Sequence, residues 1–337
     1  MTRTDDHPAV EVEPVGMIER IRLSGTSRLR ISAVREYGIV FAFAAMFVTL
    51  SVTSPVFLTS ANLLNVLNQS SDVGIIAVAG TLVVIAGGFD LSVGATYAVG
   101  GVVAAQLTPH IGVFGSLLAG VLVGLGFGLA NGAIVTVGRI NPFIGTLASQ
   151  IMIRGFALVL TGGALISVTN TSFATLGQGT VFTVRYAVIV WLVFGCILAY
   201  ILGRTTFGRY VYAVGGNAEA ARLSGVRVGL VRGATFALSG LAAGLAGIVA
   251  ASRVSTGQAD TGVGLELSAI AAIVIGGTSI LGGEGAVWRT VLGVLLITMI
   301  GNGFNLLDVN PTYQQIFQGT IILVAVGIDA FARRSRR

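Results

Sequence analysis

The sequence predicts an all-α polytopic membrane protein with about ten transmembrane helices. Composition is the first reason, because hydrophobic residues make up 54% of the 337 residues and charged residues only 10%, whereas soluble domains carry about 25% charged residues. The mean hydropathy of +0.90 agrees with this. The second reason is a series of apolar runs, each about long enough to cross a bilayer as a helix. They lie near residues 38–57, 63–86, 91–108, 112–137, 143–161, 186–203, 230–252, 265–281, 287–305 and 314–332.

The distribution of basic residues is the third reason, and it also predicts the orientation of the chain. All 20 basic residues are Arg, and positive residues in short loops collect on the cytoplasmic side of a membrane. With the N-terminus inside, ten spans leave only Arg185 and Arg253 at the outer face. The longest internal loop, residues 204–232, is then cytoplasmic, and the polar segment 162–185 lies outside.

Both ends of the chain are predicted to be cytoplasmic tails. Residues 1–36 are polar and rich in Arg, and they show neither a clear signal-peptide core nor a small-residue cleavage site. The first apolar run is therefore expected to remain as an anchor, so residues 37–332 form the transmembrane domain. Residues 333–337 form a short basic end on the cytoplasmic side.

Two glycine-rich segments are expected to interrupt the helices. Residues 87–94 read GGFDLSVG, and residues 276–285 read GGTSILGGEG. Non-helical backbone survives at membrane depth only where it is buried in protein or lines a wet cavity. These two segments are therefore the best candidates for broken or re-entrant spans.

Several classes of chemistry are excluded by the residues that the chain lacks. Without any Lys there is no P-loop and no Schiff-base chemistry, so the chain does not hydrolyse ATP by a P-loop of its own. Cys196 is the only cysteine, and His7 and His110 have no ligand neighbours. We therefore expect no catalytic residues, no metal site and no cofactor. The net charge of +6 fits the positive-inside bias and requires no nucleic-acid partner.

The loop 204–232 is predicted to contain a short helix that begins after an N-cap and stops at a glycine. Asn accepts hydrogen bonds from the first helical amides, an acidic residue in the first turn suits the helix dipole, and Gly provides a left-handed stop. A helix of about two turns does not persist alone in water, so it needs a partner surface. It is either a docking element or an ordinary polar loop with one helical turn. The residues concerned are Asn217, Glu219, Ala220, Ala221, Arg222 and Gly225.

Polar residues within the apolar runs are candidates for a transport pathway. An unpaired Arg in mid-membrane costs about 2.5–3.5 kcal/mol on insertion scales, so Arg154 is expected to face a cavity or a partner. The other candidates, four of them at helical spacing, either line a path for a polyhydroxy solute or bond to a neighbouring helix. The set is Asn65, Asn68, Gln69, Asp72, Asp90 and Arg154.

A stripe of small residues is interpreted as helix packing. Ser116, Gly120, Gly124, Gly128 and Gly132 recur at every fourth position and so lie on one helix face. Small residues allow the backbone of a neighbouring helix to approach closely, and no ligand is assigned to them.

An ordered set of motifs resembles one family of membrane proteins. GGFDLSVGA lies at 87–95, INPFIGTLA at 140–148, RGFALVLTGG at 154–163, GRYVYAVGGNAEAARLSGV at 208–226 and AIAAIVIGGTSILGGEGAVWRTVLG at 269–293. Together with a terminal YQQIFQGTIILVAV they cover nearly all of the chain beyond residue 60. The chain resembles the permease subunits of ATP-driven importers, in the branch that handles simple sugars such as ribose, xylose and galactose.

That resemblance implies a set of partners and a location. It implies a multi-pass protein of the cytoplasmic (inner) membrane, surrounded by membrane lipid, that pairs with a second permease subunit. Two cytoplasmic ATP-binding subunits and an extracytoplasmic sugar-binding protein are also implied. The segment Glu219-Ala220-Ala221, with Gly225, matches the family's coupling motif, in which a helix sits in a cleft of the ATPase.

The resulting interpretation is a permease that imports a monosaccharide and performs no chemistry itself. One alternative keeps this architecture but carries branched-chain amino acids or nucleosides. A second is an ion-coupled secondary transporter, which would need intramembrane carboxylates, and only Asp72 and Asp90 qualify. An intramembrane enzyme is disfavoured, because no metal cluster or nucleophile–base pair supports it.

Overall fold

A computed structural model describes residues 37–310 and, beyond these, residues 313, 316, 319–320, 323 and 327. The predicted tail 1–36, most of the predicted last span 314–332 and the end 333–337 lie outside the described residues. The helices are α1 (Tyr37–Thr53), α2 (Ser60–Ile85), α3 (Val93–Thr136), α4 (Pro142–Thr161), α5 (Thr175–Gln178), α6 (Tyr186–Arg204), α7 (Thr206–Gly216), α8 (Ala218–Leu223), α9 (Val228–Val254), α10 (Leu265–Ile275) and α11 (Val287–Leu306).

Within the described residues, six helices are long and apolar enough to cross a membrane: α2, α3, α4, α6, α9 and α11. Two more, α1 and α10, are apolar but shorter. An all-α polytopic membrane protein is therefore confirmed. The count of about ten spans stays a prediction.

Helix α3 is a hairpin of two arms rather than one straight rod. Gly112 has φ +74° and ψ 172° inside it, a conformation that glycine adopts without strain. The arms fold back on each other, because the hydroxyls of Thr108 and Ser116 lie 2.9 Å apart and Gly100 packs against Gly120. The sequence had placed separate apolar runs at 91–108 and 112–137, and the kink lies at their boundary.

The stripe of small residues packs the second arm of α3 against α9. A Cβ added to Gly124 would lie 2.5 Å from the carbonyl oxygen of Gly240, and one added to Gly128 would lie 2.5 Å from that of Phe236. Such distances leave no room for a side chain, so the two backbones are in direct contact. The interpretation of the stripe as helix packing is confirmed.

The helices begin and end where the local chemistry requires. Thr59 caps α2 by accepting from Asn62 N, and Asn141 caps α4 by accepting from Phe143 N. Pro142 occupies the first position of α4, where its missing N–H is not needed, and Gly162 ends that helix in the left-handed region.

The polar segment 162–185 contains a 3₁₀ helix and most of the short strands. A 3₁₀ helix spans Thr171–Ala174. Strand β1 (Ile166–Ser167) pairs antiparallel with β4 (Thr256–Gly257), and β2 (Thr180–Val181) pairs with β3 (Val184–Arg185). The β1–β4 pair ties this segment to the end of α9.

The two glycine-rich segments interrupt the helices as expected. Residues 86–92 separate α2 from α3, and residues 276–286 separate α10 from α11. The largest hydrophobic core is formed mainly by α2, α6, α9, α10 and α11, with smaller contributions from α3, α7 and α8, and Trp191 at 1% exposure is its bulkiest member.

Candidate functional site

Helix α8 has the predicted local geometry. Asn217 Oδ1 accepts from Glu219 N at 3.1 Å and from Ala220 N at 3.0 Å, which satisfies two of the first amides of the helix. Gly225 follows with φ +86°. The predicted N-cap, short helix and left-handed stop are confirmed, whereas docking to a partner remains a proposal.

The outer face of α8 is charged and exposed. Arg222 Nε donates to Glu219 Oε2 at 3.0 Å, and both side chains of this ion pair are 65% exposed. The hydrogen bond from Arg222 lowers the pKa of Glu219 and in turn raises that of the guanidinium. Leu223, 77% exposed, lies beside the pair, whereas Ala221 is buried against the core. Ala221 therefore anchors α8, and its neighbours are presented to solvent.

Three backbone segments meet near the end of α7, two residues before the N-cap of α8, in what we call the glycine junction (Ile85, Gly215 and Gly283). Gly283 N donates to Ile85 O at 2.8 Å. A Cβ added to Gly215 would overlap Ile85 O and lie 2.6 Å from Gly283 N. No side chain separates these segments, so the backbones of α7, the end of α2 and residues 276–286 are in direct contact.

Two side chains reinforce the glycine junction. Tyr212 Oη donates to Gly285 O at 2.8 Å, and Arg232 Nε donates to Ala86 O at 3.2 Å. Burial raises the pKa of Tyr212, so its hydroxyl stays protonated as a donor. Asn217, the N-cap of α8, is two residues beyond Gly215, so α8 is joined to the ends of the membrane helices by a very short connection.

A second candidate region lies along α4, where Thr146, Gln150 and Arg154 recur at every fourth position. We call these residues the α4 polar row. Thr146 Oγ1 accepts from Leu91 N at 3.1 Å, and Gln150 Nε2 donates to Glu266 Oε1 at 3.0 Å. Thus one face of a single helix binds both the break at 86–92 and the start of α10.

Arg154 ends the α4 polar row and is bound to backbone carbonyls. Its Nη1 donates to Ala259 O at 2.5 Å and to Thr261 O at 2.6 Å, and Glu266 and Asp260 lie close enough to act on its charge. The expectation that this arginine faces a partner is confirmed. The structure does not test a role in transport.

Asp90 lies in the break at 86–92 and is only 7% exposed. Its Oδ1 accepts from Ser92 N at 3.0 Å and from Ser92 Oγ at 2.6 Å. Asn131 Nδ2 donates to the same Ser92 hydroxyl at 2.7 Å. One side of Asp90 therefore shapes the turn that opens α3.

The predicted polar seam on α2 divides into separate environments. Asn65 and Gln69 are exposed, whereas Asn68 is half-buried. Asp72 pairs with Arg253, its Oδ1 lying 2.9 Å from Nη2, and lies 3.4 Å from Tyr97 Oη. Asp72 thus carries its own counter-ion from the end of α9, and within the described residues no hydrogen bond joins this seam to the α4 polar row.

Sequence reasoning missed Gln150, Glu266 and Asn62. Gln150 is four residues before Arg154, so helical spacing from that arginine could have identified it. Glu266 gives no such signal, because it is separated from Gln150 by 116 positions. Asn62 pairs with Asn302 through two buried amide hydrogen bonds of 3.1 and 2.8 Å, which joins the start of α2 to α11.

The described residues contain no group of three His, Cys, Asp or Glu side chains that could hold a metal ion. The polar groups of the α4 polar row bind backbone atoms and one another.

Comparison with known proteins gives a consistent result. Residues 62–326 match the family model described as "Branched-chain amino acid transport system / permease component". The chain is similar to the ribose import permease protein RbsC of Escherichia coli (strain K12), at 38% identity over 314 residues that cover 91% of this chain and 97% of that protein. No solved structure matches the chain significantly.

Two further relatives have similar sequence identity and coverage. The L-arabinose ABC transporter permease protein AraH of Azospirillum brasilense is 39% identical over 306 residues, which cover 90% of each chain. The ribose import permease protein RbsC of Bacillus subtilis (strain 168) is 38% identical over 299 residues, covering 88% of this chain and 93% of that protein.

Proposed function

Because the chain belongs to this family of transport permease components, we propose that it is the membrane-spanning subunit of an ATP-driven importer for a monosaccharide. The observation that carries the proposal is identity of 38–39% along nearly the whole length of ribose and arabinose permeases. The family description names branched-chain amino acids, which keeps that alternative testable. The named relatives favour a sugar.

The chain acts as a transport subunit and not as an enzyme. ATP hydrolysis lies in a separate subunit, in accord with the absence of Lys and hence of a P-loop from this sequence. Its proposed partners are cytoplasmic ATP-binding subunits, a second permease subunit and an extracytoplasmic sugar-binding protein. The location is the inner membrane, and both termini are proposed to lie in the cytoplasm.

We infer that α8 is the element that docks on the ATP-binding subunit. Its exposed ion pair, the neighbouring Leu223 and the anchoring of Ala221 support this, because they present a mixed charged and apolar surface on a fixed base. The glycine junction then carries a displacement of α8 to α2 and to residues 276–286.

The identity of the transported solute is tested by measuring uptake in cells that contain the whole transporter. Labelled pentoses and hexoses should be taken up saturably, and leucine and a nucleoside should neither enter nor compete. Saturable leucine or nucleoside uptake that no sugar inhibits would reject the monosaccharide while leaving the importer architecture in place.

The docking role is tested with Glu219→Arg and Gly225→Val. The first reverses a charge that suits the helix N-terminus, and the second strains a residue with φ +86°. Both should insert normally, yet uptake and substrate-stimulated ATPase activity should be lost. Gly126→Val is the matched control, because a Cβ there meets nothing within 4 Å. Wild-type activity in both α8 variants would count against docking.

The proposed orientation is tested by cysteine labelling in a Cys196→Ser background. Asn170→Cys should react with an impermeant reagent from outside, and Ala220→Cys only from inside. Labelling of position 220 from the outer face would reverse the topology and remove α8 from the cytoplasm.

A further inference from the structure

A small cavity at the break between α2 and α3 is lined by two buried carboxylates and a hydroxyl. Asp90, Glu266 and Ser239 are 7%, 8% and 0% exposed, and all three line this cavity of about 20 Å³. A space of roughly 10–15 Å³ is enough for one water-sized particle. The rest of its wall is apolar and comes from α2, Phe89 in the break, Val93 at the start of α3, and α10.

Each of these three side chains has a buried oxygen that makes no well-formed hydrogen bond within the described part of the chain. Asp90 Oδ1 is bound by Ser92, and Glu266 Oε1 by Gln150. In contrast, Asp90 Oδ2, Glu266 Oε2 and Ser239 Oγ make no well-formed hydrogen bond among the described residues, although Ser239 lies close enough to interact with Asp90. Leaving such groups unpaired costs free energy, and finding three around one cavity indicates an occupant that suits oxygen atoms.

The charge balance around the cavity points to the sign of that occupant. Arg154 acts on both Glu266 and Asp260, while its Nη1 binds the carbonyls of 259 and 261. Arg232 on α9 directs its Nε to Ala86 O rather than to Asp90. Among the residues that the structure describes, Asp90 therefore has no basic partner of its own, and a buried charge without one is strongly unfavourable.

We propose that Asp90, Glu266 and Ser239 bind one monovalent cation, either a proton or Na⁺. A single positive charge neutralises the carboxylate that Arg154 leaves unbalanced, and an all-oxygen set without His or Cys suits a hard ion rather than a transition metal. The bound cation joins the break at 86–92 to α10, and its occupancy therefore stabilises the folded arrangement of the two elements.

Asp72 provides an internal contrast. Asp72 is the other acidic residue among the sequence-based candidates for a transport pathway. The guanidinium of Arg253 already binds both of its carboxylate oxygens, at 2.9 and 3.0 Å. A cation is therefore needed at Asp90 and not at Asp72. The proposal is independent of the imported solute, so its failure would leave the assignment as a sugar permease unchanged.

The test is thermal unfolding of the full-length chain in lipid nanodiscs, assembled with its ATP-binding subunits. NaCl is titrated against a choline chloride background at alkaline pH, and the pH is then lowered in choline chloride alone. Wild-type protein should show a saturable rise in Tm. A rise with Na⁺ at alkaline pH identifies sodium, whereas a rise only on acidification identifies a proton, whose stabilisation is present at low pH and lost as pH rises.

Three variants make the result specific. Asp90→Asn keeps the oxygen that accepts from Ser92, so it should fold but lose the response, and Glu266→Gln should weaken the apparent cation affinity about tenfold. Asp260→Asn, which removes an exposed carboxylate outside the cavity, should respond as the wild type does. A wild-type Tm that changes with neither Na⁺ nor pH, or an equal response in Asp90→Asn, would overturn the proposal even if another variant failed to assemble.

Discussion

Helix α8 and the α4 polar row both carry charged side chains, but their partners lie at very different distances along the chain. Glu219 bonds to Arg222, three residues away on the same exposed helix face. Gln150 bonds to Glu266, 116 positions away, and Arg154 to carbonyls more than 100 positions away. Exposed polar groups are satisfied locally or by water, whereas buried ones require partners that folding brings to them.

This difference decides what each region contributes. An exposed ion pair contributes little to stability, so the residues of α8 are free to serve a partner. Removing one member of a buried polar group leaves its partner unsatisfied, at about 1–3 kcal/mol. We therefore expect changes in α8 to affect activity, and changes in the α4 polar row to affect folding first.

The largest loss of stability is expected at the glycine junction, where the backbone next to α8 touches the end of α2. Gly215→Ala should lower the stability of the assembled protein by about 4 kcal/mol or more, because its Cβ would overlap Ile85 O, a backbone atom that has no side-chain rotation by which to move away. Gly216→Ala is the matched control. Its Cβ meets nothing within 4 Å, so the better helix propensity of Ala should leave stability unchanged or slightly raised. Chemical denaturation of both variants tests this, and equal behaviour would show that the junction is not tight.

Replacement of one arginine by methionine in each region compares the stability that a buried and an exposed arginine contribute. Arg154→Met should cost about 2–4 kcal/mol, because two carbonyls lose a charged donor and Glu266 loses its nearby cation. Arg222→Met on α8 should not change Tm measurably, although it should reduce coupled uptake. A similar loss of stability in both variants would contradict the distinction.

An uncharged buried pair should show an intermediate effect. Asn62→Leu leaves the amide of Asn302 without a partner and should cost about 1–3 kcal/mol. Adding Asn302→Leu should recover part of that loss, because two apolar groups of similar shape no longer need each other's hydrogen bonds. A double-mutant cycle measured by denaturation tests this, and simple additivity would show that the two amides do not interact.

The smallest effect is expected from titration of the ion pair in α8. Arg222 lowers the pKa of Glu219, so the pair stabilises the fold at neutral pH, and this contribution is lost as pH falls through the pKa of the folded state. Comparison of wild type with Glu219→Gln between about pH 7 and pH 3 should give a small difference at low salt. High salt should remove it, and a difference that survived high salt would mean the pair is more buried than it is here.

Much of the fold was predictable because helices in lipid follow local rules. Apolar runs predicted the helices, and the gap between the separate runs 91–108 and 112–137 agrees with the kink at Gly112. The small-residue stripe predicted close packing, but it did not identify α9 as the neighbour. Strand pairing between β1 and β4 was not predicted, since two-residue strands have no periodicity.

The sequence by itself determined the membrane class, the breaks at 87–94 and 276–285, and the cap, helix and stop of α8. These depend on hydropathy and on residues within a few positions of one another. Only the tertiary structure decided that Asp72 is neutralised by Arg253, that Gly215 touches Ile85, and that Asp90 and Glu266 line one cavity. The physical reason is that a buried polar group is satisfied by whichever group packing brings within about 3 Å, and that neighbour is set by helix packing across the whole chain.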